Sequence, residues 1–492
     1  MPRRLPIALL ALVNVALVTV LTLPALAQPQ PPRPPNIIFI LIDDMGWMDL
    51  SCQGSTFYET PNIDRLAAQG MRFTNAYAAC PVCSPTRAAF QTGKYPARLH
   101  HTDWIPGHKR PWAKLKVPDF HQELPLEEIT IAEVLKPLGY ATAAIGKWHL
   151  GGEGFLPENQ GYDLNVGGYS AGSPRSYFSP YMNPKLPDGP ESEFLVDRLM
   201  DESIKFIEKN KDRPFFLYLP NYAVHQPIDA KPAVVEHYRQ KLGTTPTRPD
   251  TQTNPIYAAL IQGVDENVGR LLKTLDDLHL ADNTLVVFTS DNGGLMAPGP
   301  TSNAPLRGGK GMLYEGGIRE PLIVRWPGVI RPASTSDAPV ITCDFFPTFV
   351  ELTGSPNAPK DNIDGVSLMP LLKESGSLNR DALFWHYPHY HRGMPGGAIR
   401  DGDWKLIEFY QDGRLELYNL KDDPSEEHNL ATDRPAVASR LHHKLADWRD
   451  SVHADMPTLN PDYDPHKADQ GPESPKGKGK GKNKRKSTPA AE

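Results

Sequence analysis

One segment constrains the fold of this 492-residue chain more than any other: an apolar run at residues 36–42, followed directly by two aspartates. The run reads Asn-Ile-Ile-Phe-Ile-Leu-Ile and shows no alternation of apolar and polar residues. Such a run is typical of a strand that is buried on both faces of a parallel sheet. Asp43 and Asp44 would then lie at the carboxyl end of that strand, the edge at which open α/β sheets bind their ligands.

Three further apolar segments predict strands of the same sheet, at residues 141–145, 214–219 and 284–290. Helical segments alternate with them, at residues 61–69, 131–138, 193–208 and 257–279. The last of these repeats apolar residues every three or four positions from Ile261 to Leu278, as a helix with one buried face does. This alternation predicts a doubly wound, mostly parallel α/β sheet with helices on both faces.

Chemically active residues follow each of the four strands, and their side chains should meet because parallel strands end at one edge of the sheet. They are Asp43 and Asp44 after the first strand, Lys147 and His149 after the second, His225 after the third, and Asp291 and Asn292 after the fourth. Three carboxylates and one amide offer hard oxygen donors, which suit Ca²⁺, or Mg²⁺ if the cage is tighter. Taken alone, each pair is better explained as a turn or capping pair, so the metal site depends on their convergence.

Residues 81–93, Pro-Val-Cys-Ser-Pro-Thr-Arg-Ala-Ala-Phe-Gln-Thr-Gly, place a potential nucleophile, Cys83, just before a short helix. Pro85 suits the first helical turn and Gly93 suits the stop. The unpaired amides at the helix start, with Arg87 one turn in, favour an anion there.

The remaining segments predict the domain organisation. Arg3 and Arg4, an apolar run and Ala25-Leu-Ala27 predict a signal peptide at 1–27, with a membrane anchor as the alternative, and a Pro-rich linker at 28–35. A catalytic α/β domain at 36–380 precedes a smaller α+β subdomain at 381–456, with strands at 382–387, 397–400, 404–408 and 416–419 forming an antiparallel sheet and one helix at 436–451. Residues 457–492 are Pro- and Lys-rich and predict a disordered tail. We therefore expect a periplasmic or secreted protein with no membrane span after cleavage.

The net charge and the cysteine content limit which ligands and which cysteine-based sites this chain can be expected to have. The net charge is −6, and without the seven Lys/Arg of residues 476–486 it is −13, so no nucleic acid partner is expected and any anion must be captured by local cations. Four cysteines are too few for a disulfide framework in so long a chain. Cys80 and Cys83 have the spacing of a redox pair or of half a zinc site, although no second pair completes such a site.

These motifs together resemble the type I, formylglycine-dependent sulfatases of the alkaline phosphatase superfamily, and among them arylsulfatases and N-acetylhexosamine-6-sulfate sulfatases. The resemblance spans residues 36–430 and includes Cys-x-Pro-x-Arg at 83–87, Gly-Tyr-Ala-Thr-Ala-Ala-Ile-Gly-Lys-Trp-His at 139–149, the lysine loop at 303–310 and a C-terminal segment at 417–424. Gln91 departs from the first signature, at a position that is usually apolar.

The resemblance implies a role for each motif residue. Cys83 would be oxidised to formylglycine by a formylglycine-generating or sulfatase-maturing enzyme, and its hydrate would attack sulfur. Calcium would bind Asp43, Asp44, Asp291 and Asn292. Arg87 would hold the hydrate and the metal ligands, and His149 would contact a hydroxyl of the hydrate. The sulfate and the leaving oxygen would be held by Lys147, His225 and Lys310.

We therefore expect an exported sulfuric ester hydrolase that acts on a sulfated carbohydrate. One alternative is a phosphonate monoester or phosphodiester hydrolase of the same superfamily. Another is an unmatured, non-catalytic, calcium-dependent glycan-binding protein. The His-Tyr-Pro-His-Tyr-His cluster at 386–391 either lines the substrate pocket or caps the small sheet.

Overall fold

A central sheet of nine strands carries the functional loops of this chain. The computed structural model describes residues 33–244, 251–296, 299–359, 361–467 and 470–471. The predicted signal peptide 1–27 and linker residues 28–32 lie outside the described residues. The described residues from Pro34 onward form one compact unit. Within this part of the chain, no helix is long and apolar enough to cross a membrane.

The strands of the described chain fall into three sheets. They are β1 (Asn36–Ile42), β2 (Met71–Tyr77), β3 (Leu115–Lys116), β4 (Ala141–Ile145), β5 (Leu164–Val166), β6 (Phe215–Pro220), β7 (Thr284–Ser290), β8 (Arg319–Arg325), β9 (Ser334–Ser336), β10 (Val340–Ile341), β11 (Leu383–Tyr387), β12 (Gly396–Asp401), β13 (Trp404–Phe409), β14 (Arg414–Asn419) and β15 (Thr458–Leu459). The helices are α1 (Pro61–Ala68), α2 (Cys83–Thr92), α3 (Ile131–Leu135), α4 (Leu195–Asn210), α5 (Pro232–Thr244), α6 (Pro255–Asp277), α7 (Glu315–Ile318), α8 (Phe345–Thr353), α9 (Met369–Leu372) and α10 (Pro435–Ser451).

The order of strands explains where a site can form. The main sheet runs β10-β2-β8-β7-β1-β6-β4-β5, with β9 added beside β2. The four strands predicted from sequence are neighbours, β7-β1-β6-β4, and all pair in parallel. β8 is antiparallel to both β7 and β2, so the sheet is mixed but mostly parallel. The predicted fold class is therefore confirmed, and four carboxyl ends lie side by side.

Both faces of β1 are buried, as its apolar run predicted. Ile38 and Ile40 pack into one apolar cluster with residues of α4 and α6, whereas Ile37 and Phe39 pack into the opposite cluster with residues of α2 and α8. Each of these side chains is at most 2% exposed. Burial of one such side chain stabilises the fold by about 1.5–3 kcal/mol. The strand is thus a rigid support for the two aspartates that follow it.

Helix α2 places Cys83 at its first residue rather than just before it. Phe39 of β1 stacks on Phe90 of α2 with 3.9 Å between ring centroids, which holds the helix against the sheet. The helix ends where predicted: Gly93 has φ 71°, and its N–H donates to the carbonyl of Ala89. This left-handed conformation favours glycine, because a Cβ there is unfavourable.

The second sheet matches its prediction within two residues at each strand end. Strands β11, β12, β13 and β14 form an antiparallel meander that packs against α10. The predicted domain boundary at residue 380 falls between the two sheets and stays a prediction.

The predicted start of the disordered tail at residue 457 is wrong. Thr458–Leu459 form β15, which pairs with Leu115–Lys116 of β3, and a short helical turn follows at Pro465–Lys467. This pairing orders the chain to residue 467. The lysine-rich residues 476–486 lie outside the described residues.

Candidate active site

The residues that follow β1, β4, β6 and β7 come together at the carboxyl edge of the sheet. Asp43, Asp44, Asp291 and Asn292 are all buried, with at most 2% exposure. The backbone N–H of Asp44 donates to Oδ1 of Asp291 at 3.2 Å, and Nδ2 of Asn292 donates to Oδ1 of Asp44 at 2.7 Å. Within the described residues, Oδ1 of Asn292 has no hydrogen-bond partner. A buried amide oxygen without a partner is costly, and a cation would satisfy it.

Three buried cations accompany the three carboxylates. Lys147 Nζ contacts both oxygens of Asp43 at 2.7 and 3.0 Å, and Lys310 Nζ contacts both oxygens of Asp44 at 2.7 and 2.9 Å. The third pair joins α2 to the strand end of β7. Arg87 Nε and Nη2 donate to Oδ2 of Asp291 at 2.9 and 2.7 Å. The charges of these six side chains therefore balance.

The crowded carboxylates respond differently to this environment. Burial raises the pKa of Asp43 well above its usual value; Lys147 opposes the rise, whereas Asp291 adds to it. Burial also raises the pKa of Asp44, but the nearby charges of Lys310, His225 and Lys147 outweigh that effect and lower the pKa below its usual value. Adjacent carboxylates are thus held together at an electrostatic cost that a divalent cation would relieve.

His149 faces Cys83 with a defined ring nitrogen. Its Nε2 lies 2.7 Å from the carbonyl oxygen of Ile105, which can only accept a hydrogen bond, so Nε2 carries the proton. Nδ1 is then an acceptor, and it lies 3.4 Å from Sγ of Cys83. Burial, with the charge of Lys147, lowers the pKa of His149 well below its usual value. The ring is therefore a neutral acceptor aimed at residue 83.

Two of the site residues have unusual backbone conformations. Asp44 has φ 64° and His149 has φ 57°, both in the left-handed region that costs a non-glycine residue about 1–2 kcal/mol. Strained residues of this kind cluster at functional sites, where the surrounding structure enforces them. Gly172 packs so closely on His149 that an added Cβ would lie 2.4 Å from Cε1 of the ring. The position of this ring is thus fixed from two sides.

A pocket of about 700 Å³ opens above these residues. Of the residues predicted from sequence, five line the pocket: Asp44, Cys83, His149, His225 and Lys310. The other five, Asp43, Arg87, Lys147, Asp291 and Asn292, lie behind them and are at most 2% exposed. The structure therefore brings together all ten, although it leaves their individual roles as predictions.

His225 is the most exposed residue of this set, with 20% of its side chain accessible. Its Nε2 lies 3.6 Å from Oδ2 of Asp44, and its Nδ1 lies 2.6 Å from the carbonyl oxygen of Gln226. Desolvation and the charge of Lys310 lower its pKa to about 3. Ligand atoms of Asp43, Asp44 and His225 all lie within 4.8 Å of one another, so geometry alone also admits His225 as a metal ligand.

Sequence reasoning missed most of the pocket rim. Trp104, His108, Arg110 and Arg392 line it from two loops that carry no periodic signal. The three histidines of the predicted cluster at 386–391 have different surroundings. His391 lines the pocket and stacks on His108 at 4.8 Å between centroids. His386 instead contacts Tyr410 and the carbonyl of Asp455, at 2.8 and 3.1 Å, and His389 contacts Thr102 at 2.8 Å.

Comparison with known proteins decides the family. The family model described as Sulfatase matches residues 35–355, well over half of the chain, and the model described as N-sulphoglucosamine sulphohydrolase, C-terminal, matches residues 309–451. This chain belongs to the sulfatase family. It is a type I sulfatase of the alkaline phosphatase superfamily, and so a sulfuric ester hydrolase, as the sequence motifs predicted.

Relatives of this sulfatase resemble it over most of their length. A protein named Sulfatase from Formosa agariphila is 35% identical over 496 residues, covering 84% of this chain and 88% of the relative. Arylsulfatase A of Homo sapiens is 35% identical over 452 residues, covering 81% and 83%. The solved structure of BT4656 in complex with its substrate D-glucosamine-2-N,6-O-disulfate is similar with a TM-score of 0.69 at 26% identity, covering 86% of this chain and 98% of that chain.

Proposed function

We propose that this sulfatase removes sulfate from a sulfated carbohydrate outside the cytoplasm, with residue 83 converted to formylglycine and a calcium ion beside it. One observation carries the proposal. Cys83, His149 and Lys310 line one pocket, directly against a buried cluster of oxygen donors. Nucleophile, acceptor and cation are thus within reach of one bound sulfate group.

The buried oxygen donors at the base of the pocket fit a calcium ion. The donor set that we propose is Asp43, Asp44, Asp291 and Asn292, and its members are all hard oxygen ligands, which Ca²⁺ prefers to imidazole. The orphaned Oδ1 of Asn292 supports this set over one that includes His225. When bound, the ion would polarise sulfate oxygens and stabilise negative charge that develops on them.

Charge favours an anionic substrate at this site. The six buried carboxylate and cationic side chains balance, so a bound divalent cation gives the site a net positive charge. Lys310, which lines the pocket, would stabilise charge on the sulfate oxygens, and the buried ammonium of Lys147 would add to the positive field behind it. Arg87 donates two hydrogen bonds to Asp291 and does not line the pocket, so it would act by holding this metal ligand in place.

Two residues would handle protons. The formylglycine hydrate would supply the nucleophilic hydroxyl, and Nδ1 of His149 is placed to accept a proton from residue 83. The leaving sugar oxygen also needs a proton. Lys310 is the group that holds a proton to give, because nearby negative groups, Asp44 foremost, together outweigh burial and raise the pKa of Lys310, whereas the lowered pKa of His225 leaves that ring neutral.

A carbohydrate substrate is supported by the bound disulfated glucosamine of BT4656 and by the aromatic residues Trp104 and His108 at the pocket rim. Export to the periplasm or medium is supported by the residue pattern of 1–27. A formylglycine-generating or sulfatase-maturing enzyme is the required partner.

Mass spectrometry of the native protein tests the modification. The tryptic peptide of residues 73–87 contains Cys83 and should be lighter than the thiol form by one sulfur and two hydrogens less one oxygen. An unmodified thiol in fully active protein would refute the mechanism. Turnover of p-nitrophenyl sulfate against phenylphosphonate monoesters tests the activity, with Cys83→Ala as control. Preference for the phosphonate would support the alternative hydrolase, and calcium-dependent glycan binding without turnover would support the lectin-like alternative.

A further inference from the structure

A second cavity, of about 910 Å³, lies next to the active-site pocket; we call it the outer cavity. It is formed mainly by the loop 106–120, with His389 and Tyr390 and the segment 460–462. Pro106, His108 and Arg110 line both cavities, so the two are adjacent. Its volume lies within the range of small-molecule sites.

Three cations line the outer cavity without a carboxylate partner among the described residues: Lys109, Arg110 and Lys116. Arg110 is held at the junction, since its Nη2 donates to the carbonyl of His391 at 3.2 Å. Asp103, Asp119 and Asp462 also line the cavity; Asp103 is buried and accepts a hydrogen bond from the Tyr387 hydroxyl at 2.7 Å, whereas Asp119 and Asp462 offer acceptors for hydroxyl groups. The lining therefore carries as many carboxylates as cations, but within the described residues none of the three cations forms an ion pair, so each is available to a negative group of the ligand.

Fixed aromatic rings provide flat walls of the kind on which a sugar stacks. The Tyr390 hydroxyl accepts from the N–H of Leu115 at 3.1 Å and donates to Gln411 at 2.6 Å, and Arg110 lies 5.8 Å from the ring centroid. Phe120 meets His389 edge-on, with 5.2 Å between centroids. These contacts fix the rings before any ligand arrives, which lowers the entropic cost of binding.

The segment 460–462 closes the far side of the cavity and is firmly attached. It follows β15, which pairs with β3. Nδ2 of Asn460 donates to the carbonyls of Pro111 and Ala113 at 2.8 and 2.6 Å. Hydrogen bonds on both sides thus hold this segment as one wall of the outer cavity.

We propose that the outer cavity binds the sugar unit next to the sulfated one, and that a sulfate or carboxylate on that unit contacts Lys109 and Lys116. This inference rests on the proposed function, because it assumes that the sulfated unit occupies the active-site pocket. The natural substrate is then a polyanionic oligosaccharide of two or more units, and an isolated sulfated monosaccharide is a poorer substrate.

The test compares substrate lengths in matched variants of the full-length, matured sulfatase. Tetrasaccharides from chondroitin sulfate, heparan sulfate and carrageenan are screened against their sulfated monosaccharides, with p-nitrophenyl sulfate as the short reference. For the best tetrasaccharide, kcat/KM should fall at least about tenfold in the double variant Lys109→Ala/Lys116→Ala, since charge-assisted contacts are lost. Turnover of p-nitrophenyl sulfate should change less than about twofold. Lys114→Ala is the matched control, an exposed lysine of the same segment that does not line the cavity.

Each outcome bears on one proposal. The outer cavity would be overturned as a binding site if tetrasaccharides were desulfated no faster than monosaccharides. The same holds if the double variant lowered kcat/KM equally for long and short substrates. If the matured, unsubstituted protein hydrolysed none of these sulfate esters, the proposed function itself would be refuted. A selective loss on the tetrasaccharide, absent in Lys114→Ala, would support the inference.

Discussion

Replacement of His149 by asparagine tests the proton acceptor with the least disturbance of the backbone. His149 has φ 57°, and asparagine tolerates that left-handed conformation better than most residues. The variant removes the acceptor that lies 3.4 Å from Sγ of Cys83. Loss of a positioned general base lowers rates by about 10²–10⁴, equivalent to about 3–5 kcal/mol of activation free energy.

The structural cost of the same change should be smaller. The variant loses the 2.7 Å hydrogen bond to the partly buried carbonyl of Ile105, worth about 1–3 kcal/mol if that carbonyl stays unpaired. We therefore expect a folded protein with a slightly lower melting temperature and a kcat for p-nitrophenyl sulfate reduced at least about 100-fold.

The assay requires two controls. Peptide mass must show equal formylglycine content at residue 83 in the variant and the unsubstituted protein, so that maturation does not explain the loss. His443→Ala, at an exposed position of α10, controls for histidine replacement in general. A His149→Asn protein with full modification and kcat within about threefold of the original would refute the role of His149 as the acceptor.

Three further predictions concern the metal and a buried ion cluster. Chelation with EGTA should abolish turnover and lower the melting temperature by only a few degrees, because the stabilisation from the bound ion is lost but three cations still offset the three carboxylates; unfolding upon chelation would contradict this. Asn292→Ala should raise the calcium concentration needed for half-maximal activity by about 10–100-fold, measured by calcium titration, and an unchanged requirement would exclude it as a ligand. Lys405 contacts buried Glu315 and Glu426 at 2.9 and 2.8 Å, so Lys405→Met should lower the free energy of unfolding by about 3–5 kcal/mol in urea titrations, against the exposed control Lys421→Met.

The Lys405→Met effect should also depend on pH. Burial raises the pKa of Glu426 to about 7 in the folded protein, so the folded state holds a proton that the unfolded chain releases near pH 4.5. A raised folded-state pKa means that stability falls as pH rises from about 4.5 to about 7. Without Lys405, both carboxylates become harder to ionise, and the difference from the unsubstituted protein should be larger at pH 8 than at pH 5. A difference that grows toward pH 5 would contradict this account.

Sequence located the strands that carry the site because their physical signal is strong. β1, β4 and β7 begin and end at the predicted residues, since both faces are buried and the runs are mostly apolar, with no charged residue. β2 was missed because Arg72, Thr74 and Asn75 interrupt its pattern at half-buried positions. β8 has charged ends that resemble a loop, although its centre is buried.

The pocket rim escaped prediction for a different reason. Trp104 and His391 lie almost 300 residues apart in the sequence, on loops whose conformation depends on tertiary contacts. Residues of this kind have neither periodicity nor a local motif. The residues that follow strand ends were predictable from the strand pattern, whereas the conformation of the rim loops depends on tertiary packing.

The burial of α2 sets an order of events in biosynthesis. All ten residues from Cys83 to Thr92 are buried, and Cys83 itself is 2% exposed. In the folded sulfatase, a modifying enzyme that binds the residues flanking Cys83 has no access to them, because the whole of α2 is buried. Under the proposed function, enzymatic conversion of Cys83 would therefore have to precede the docking of α2 on the sheet.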